Sequence, residues 1–123
     1  MRKYIRNLAS AMIALALCEM AAVPAMAHAV IVSAAPTADE QVKPGKLAIR
    51  LEFNSRIDKQ RSRLQLTAPD GAKSEVVIDQ GGEPNILTAT TRDLAIGDYV
   101  LRWQVLAIDG HITRGDIPFK VAA

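Results

Sequence analysis

Sulfur is nearly missing from this chain. Its one cysteine, Cys18, and its four methionines, Met1, Met12, Met20 and Met26, all fall within the first 27 of 123 residues. Beyond them no disulfide, thiolate or thioether can form, which excludes soft sulfur ligands for a metal. Charge of one sign is missing too. Arg2, Lys3, Arg6 and Glu19 account for the formal net charge of +2, and 12 basic and 12 acidic residues remain after position 27. A nucleic-acid binder needs a clustered basic surface that releases counterions, so the balance excludes that class. Aromatics make up 4% of the chain, and past residue 27 they are only Phe53, Tyr99, Trp103 and Phe119. There is no phosphate-cradling glycine loop, and no serine–histidine or cysteine–histidine pair with a clear base.

What the first 27 residues do contain is an address. Arg2, Lys3 and Arg6 form a positive start, and Leu8 to Cys18 is an uncharged, mostly apolar run closed by Glu19. That run is far shorter than the roughly 20 residues a membrane-spanning helix needs. Ala25-Met26-Ala27 places small residues at both positions read by a signal peptidase. The expectation is a signal peptide over 1–27, cleavage after Ala27, export to the periplasm, and a domain over 28–123 that does not span the membrane. Ala27-His28-Ala29 repeats the small-x-small pattern and offers a second cleavage point.

After position 27 the hydrophobic period is two. Leu47, Ile49, Leu51 and Phe53 alternate with Ala48, Arg50 and Glu52, and Tyr99, Leu101, Trp103 and Val105 alternate with Val100, Arg102 and Gln104. Further strands are expected at Ala29–Ser33, Arg63–Thr67, Ser74–Ile78, Ile86–Thr90 and Ile117–Val121. Turn chemistry separates them at Pro44-Gly45, Pro69-Asp70-Gly71, Gly81-Gly82 and Gly97-Asp98. Seven short strands in so few residues predict an all-β chain, a small antiparallel β-sandwich of immunoglobulin-like size. Trp103 is expected to pack in its core beside Tyr99 and Leu101. Arg56, Lys59, Arg61 and Arg63 form a local basic cluster, interrupted by Asp58, that reads as a solvated face or a docking surface.

The chain has two histidines, and both sit where metal chemistry is conceivable. Cleavage after Ala27 would give His28 a free α-amine, and the amine and Nδ1 of one residue close a six-membered chelate on a metal. In Asp109-Gly110-His111, an extended segment would point residues 109 and 111 to one face, with Gly110 leaving an approaching ligand uncrowded. An amine, two imidazoles and a carboxylate suit tetragonal Cu(II), although zinc accepts the same donors. Asp-Gly is equally a hairpin-turn dipeptide, and a lone histidine after a turn is commonly just a solvated polar residue.

At these residues the chain resembles the CopC family of periplasmic copper-binding proteins. The resemblance is carried by His28-Ala29 with Ser33 and Pro36, and by the run from Gly97 to His111 with Gly115 and Phe119 beyond it. It covers His28 to about Val121. It implies a seven-stranded Greek-key sandwich, and one Cu(II) per chain bound by His28, Asp109 and His111. Many relatives carry a methionine-rich Cu(I) loop; the corresponding segment here, Thr67 to Lys73, holds neither methionine nor histidine. Where some relatives place an acidic residue near the metal, Asn54-Ser55 stand here, and Ile112 replaces a proline common after the ligand histidine.

The expected function is a periplasmic Cu(II) carrier or buffer in copper resistance or homeostasis. It would not be an enzyme, and it would act as a monomer. The resemblance suggests an inner-membrane copper transport protein as partner. Two alternatives are a copper monooxygenase-like enzyme using the same N-terminal histidine, and a metal-free interaction module. Because binding needs a deprotonated amine (ordinarily near pKa ~8) and neutral imidazoles (~6.5), affinity should fall on acidification.

Overall fold

The computed structural model describes residues 29–123, so Cys18, the expected signal segment and His28 lie outside the described residues. Eight strands are present among them: β1 Ile31–Ala35, β2 Gln41–Val42, β3 Gly45–Phe53, β4 Ile57–Thr67, β5 Lys73–Val76, β6 Ile86–Leu94, β7 Gly97–Ala107 and β8 Ile112–Val121. They form two sheets, one ordered β1-β3-β6 and the other β2-β8-β7-β4-β5. The chain changes sheet on both sides of β2, between β3 and β4, between β5 and β6, and again between β6 and β7. β7 thus comes to lie beside β4, the crossing pattern of a Greek key. The all-β sandwich expected from the period-two pattern is the fold.

The inward sets read from the sequence pack face to face. Ile49, Leu51 and Phe53 of β3 lie against Leu64 and Leu66 of β4 and against Leu101 and Val105 of β7 in one buried cluster. Their alternation with exposed neighbours is what holds the register, because a one-residue slip would turn every one of them to solvent. Tyr99 stacks on Phe119, with ring centroids 5.5 Å apart. Its hydroxyl donates to the Ala95 carbonyl at 2.8 Å, closing the turn that launches β7. Trp103 is half-buried at the edge of the core, edge-on to Phe53 at 5.6 Å.

Several boundaries differ from expectation, each for a physical reason. The eighth strand, β2, pairs parallel with β8 over two residues, too few to carry a period. β4 begins six residues earlier than expected. Its pairing with β7 slips between Asp58 and Arg63, so a bulge interrupts the alternation there. Ser62 fills the bulge, donating to the Asp58 carbonyl at 2.6 Å and accepting the Leu106 N–H at 3.2 Å. β8 starts at Ile112 rather than Ile117, because its inward positions there are Thr113 and Gly115, which no hydrophobicity pattern marks. The first strand starts at Ile31, and Ile78 makes only an isolated bridge to Ala89.

The basic cluster is largely engaged within the fold. Lys59 Nζ donates to the Gly81 carbonyl, Arg63 pairs with Glu75 at 3.2 Å, and Arg61 lies 3.9 Å from Asp58.

Candidate metal centre

Ala107 to His111 close the hairpin between β7 and β8. The Gly110 N–H donates to the Ala107 carbonyl at 2.9 Å, and the Ala107 N–H donates to the His111 carbonyl at 2.8 Å. Gly110 has φ 91°, the left-handed conformation that closes such a turn. Of the two readings the sequence leaves open, the segment is therefore the Asp-Gly turn and not the extended run, and Gly110 is there for its backbone. Residues 109 and 111 meet nonetheless. Asp109 Oδ1 accepts the His111 backbone N–H at 3.1 Å, and Oδ2 lies 2.9 Å from His111 Nδ1.

The same frame occurs once more. In Ala68-Pro69-Asp70-Gly71-Ala72, the Gly71 N–H donates to the Ala68 carbonyl at 2.9 Å and the Ala68 N–H to the Ala72 carbonyl at 2.8 Å. Asp70 Oδ1 accepts the Ala72 N–H at 3.0 Å, and Gly71 has φ 87°. The bond from Asp109 Oδ1 is thus part of a general aspartate turn. What separates the two hairpins chemically is the imidazole at the fifth position. They also lie at opposite ends of the sandwich, since Ile57 of β4 pairs with Ala107 and Thr67 with Val100. That puts them about 30 Å apart along the strands.

The turn fixes the chemistry of the pair. Hydrogen bonding from the His111 ring, and then from its backbone N–H, holds the Asp109 carboxyl below the usual carboxylate range. The carboxylate stays ionised at neutral and mildly acidic pH and accepts the ring proton at Nδ1, which fixes the tautomer whose ring lone pair is on Nε2. With a depressed folded value, the stabilisation from this contact is present above the ordinary carboxylate range and is lost as pH falls through the folded value. A carbon-13 titration should find Asp109 protonating below a normal aspartate, and His111→Ala should move it back up. An unmoved midpoint would show that the pair does not form in solution.

The segment that follows His28 is fastened to the same end of the molecule. Ala29 is buried, 2% exposed, and its carbonyl accepts from Thr113 Oγ1 at 3.1 Å, two residues along β8 from His111. Asn54, in the loop between β3 and β4, grips Val30 twice. Its side-chain oxygen accepts the Val30 N–H at 2.8 Å, and its own N–H donates to the Val30 carbonyl at 2.9 Å. The next residue but one, Arg56, accepts the Ile108 N–H on its carbonyl at 3.2 Å. Asp109 and His111 are therefore brought together, and the chain adjoining His28 is tied beside them. Among the described residues no group of three His, Cys, Asp or Glu side chains is assembled. Thr113 and Asn54 were not legible as parts of the site, because their roles are single hydrogen bonds between segments far apart in sequence.

Comparison with known proteins gives one consistent result. The CopC domain family model matches residues 31–122. The protein YobA of Escherichia coli K12 is 28% identical over 98 residues, covering 77% of this chain and 79% of its own, and YobA of Shigella flexneri matches equally. Among solved structures, CopC from Methylosinus trichosporium OB3b superposes with a TM-score of 0.71 at 29% identity, over 76% of this chain and 93% of its own. PcoC, a methionine-rich copper resistance protein from Escherichia coli, superposes with a TM-score of 0.62 at 25% identity, over 78% of this chain and all of its own.

Proposed function

The chain belongs to the CopC family, and from that premise we propose that it is an exported copper-binding protein that carries or buffers one Cu(II) ion in the periplasm. The observation that carries the reading is the Asp109–His111 pair, held at 2.9 Å beside the point where Thr113 fastens Ala29. In this reading the α-amine and Nδ1 of His28 and Nε2 of His111 supply three nitrogens. Asp109 holds the His111 ring in its metal-binding tautomer, the carboxylate–histidine–metal arrangement that raises the basicity of a ligating imidazole. A nitrogen-rich set of this kind suits tetragonal Cu(II).

Binding of Cu(I) is not part of the proposal. The segment where some relatives carry methionines is here the tight Asp70-Gly71 hairpin at the far end of the sandwich, without a sulfur or imidazole donor. Nor does an oxygen-activating enzyme gain support. Phe53, Tyr99 and Phe119 are buried and Trp103 is half-buried, so the described residues offer no exposed aromatic platform for a sugar chain.

Cu(II) titration followed by electron paramagnetic resonance tests the proposal on two forms of the domain, one beginning at His28 and one with a single residue placed before it. The expected result is tight one-to-one binding with a nitrogen-rich tetragonal spectrum in the first form, lost in the second. Equal binding by both would remove the amine from the site, and binding by neither would leave a metal-free sandwich.

A further inference from the structure

One amide at the start of the described chain is held on both of its sides. The Ala29 carbonyl accepts from Thr113 Oγ1 at 3.1 Å, and the N–H of the same amide, that of Val30, donates to Asn54 Oδ1 at 2.8 Å. The Val30 carbonyl then accepts the Asn54 N–H at 2.9 Å. Ala29 itself is 2% exposed and belongs to the buried core. The clamp is therefore made by β8 and the β3–β4 loop, 84 and 24 residues away in the chain. Whether a terminus can be shortened follows from the burial and hydrogen bonding of the backbone to be cut.

We propose that the fold sets its own N-terminus: a peptidase trimming from the amino end stops with one residue left before Ala29. Each trimming step adds water across a peptide bond, releases one amino acid and leaves a new α-amine. Removal of residue 28 requires Ala29 as the residue just past the bond to be cut, and Ala29 is buried. The step after that would cut the doubly bonded amide itself. Both steps need the clamp to open first, so their rates fall with the fraction of time it is open. The same clamp discriminates between the two cleavage points offered by the sequence. A chain beginning at Val30 lacks the Ala29 carbonyl and deprives the Thr113 hydroxyl of its acceptor, so the fold favours the longer form. The inference uses no metal and stands apart from the copper reading.

The test incubates the domain beginning at Ala25, with three residues kept before His28, with a broad-specificity aminopeptidase and follows the mass of the intact chain. The expected end point is a chain that begins at His28 and persists after the first three residues are gone. Thr113→Val keeps the β-branched shape and removes the donor. It should release residues 28 and 29 about fivefold faster, the effect of one typical hydrogen bond on an opening equilibrium. Thr113→Ser keeps a hydroxyl and should restore the stop. Independently of any variant, the domain beginning at Val30 should melt below the one beginning at His28. Trimming of the parent past Ala29 at the rate of the preceding residues overturns the inference, and so does a halt before residue 28. A folded Thr113→Val that keeps the parent's rate overturns it as well, as does a Val30 form that melts as high as the longer one.

Discussion

Replacing His111 with alanine should abolish tight Cu(II) binding and leave the metal-free fold almost unchanged. The hairpin is held by backbone groups of Ala107, Gly110 and His111, none of which needs the imidazole. The His111 side chain is 58% exposed, and its contact with Asp109 is open to solvent, where such pairs add little stability. The metal-bound state depends on the imidazole directly. Loss of a partner behind a ligand weakens metal affinity about 10- to 100-fold, so loss of the ligand should cost at least the upper end of that range. Thermal melting provides the contrast. With free Cu(II) at 100 times its dissociation constant the parent gains about 2.7 kcal/mol, a rise on the order of 10 °C for a domain of this size. His111→Ala should show neither gain nor rise under the same conditions. A variant that melts like the parent with and without copper would place the metal elsewhere.

The repeated aspartate turn sharpens this expectation. Ala72→His would set an imidazole on the Asp70 hairpin in a frame whose hydrogen bonds match those around His111 within 0.1 Å. If an aspartate–histidine pair were enough, that variant would gain a second copper site. Ala29 is fastened by Thr113 at the other end of the molecule, so under the proposed reading the grafted pair has no N-terminal chelate beside it. Titration should still give one ion per chain.

The fold was largely legible because sandwich cores are written in period two. β3 and β7 declare their inward faces by branched and aromatic side chains at alternate positions. The misplacements fall where the inward residue is not hydrophobic: Ser62 in the β4 bulge, and Thr113 and Gly115 at the start of β8. The site was legible by chemistry more than by geometry. Two histidines and an aspartate stand out as ligand types, yet the sequence leaves open the reason residues 109 and 111 meet. An extended strand and an Asp-Gly turn can both bring them together, and the backbone hydrogen bonds decide for the turn. The tether from Thr113 to Ala29 spans 84 residues.

Gly115→Ala should destabilise the domain more than its exposure suggests, and Trp103→Leu should absorb most of the damage. Gly115 sits opposite Trp103 in the β7–β8 ladder, and the indole lies over it. An added β-carbon would stand 2.7 Å from Cζ2, 2.8 Å from Cε2 and 2.9 Å from Nε1. Those are atoms of a rigid ring that is also packed edge-on to Phe53, so the ring must move as a unit toward solvent. Overpacking of this kind costs about 1–3 kcal/mol. At roughly 4–8 °C per kcal/mol, that is a clear loss in melting temperature. Trp103 is the chain's only tryptophan, so its emission should shift to the red as the ring leaves its half-buried seat. Gly110 in the neighbouring hairpin is a useful comparison. No atom lies within 4 Å of its would-be β-carbon, and its substitution is opposed only by its φ of 91°, at about 1–2 kcal/mol. If the cost at Gly115 is steric, shrinking the ring removes it, and the double variant Gly115→Ala/Trp103→Leu should melt close to Trp103→Leu alone, a coupling that a double-mutant cycle reads directly. Gly110→Ala combined with Trp103→Leu should simply add. Additive behaviour at Gly115 would mean that the indole does not lie over the strand in solution. Thr113 flanks Gly115 on the same inward face of β8 and fastens Ala29. Displacing the indole should therefore also loosen the N-terminal tether and weaken copper binding in Gly115→Ala, and the double variant should recover it.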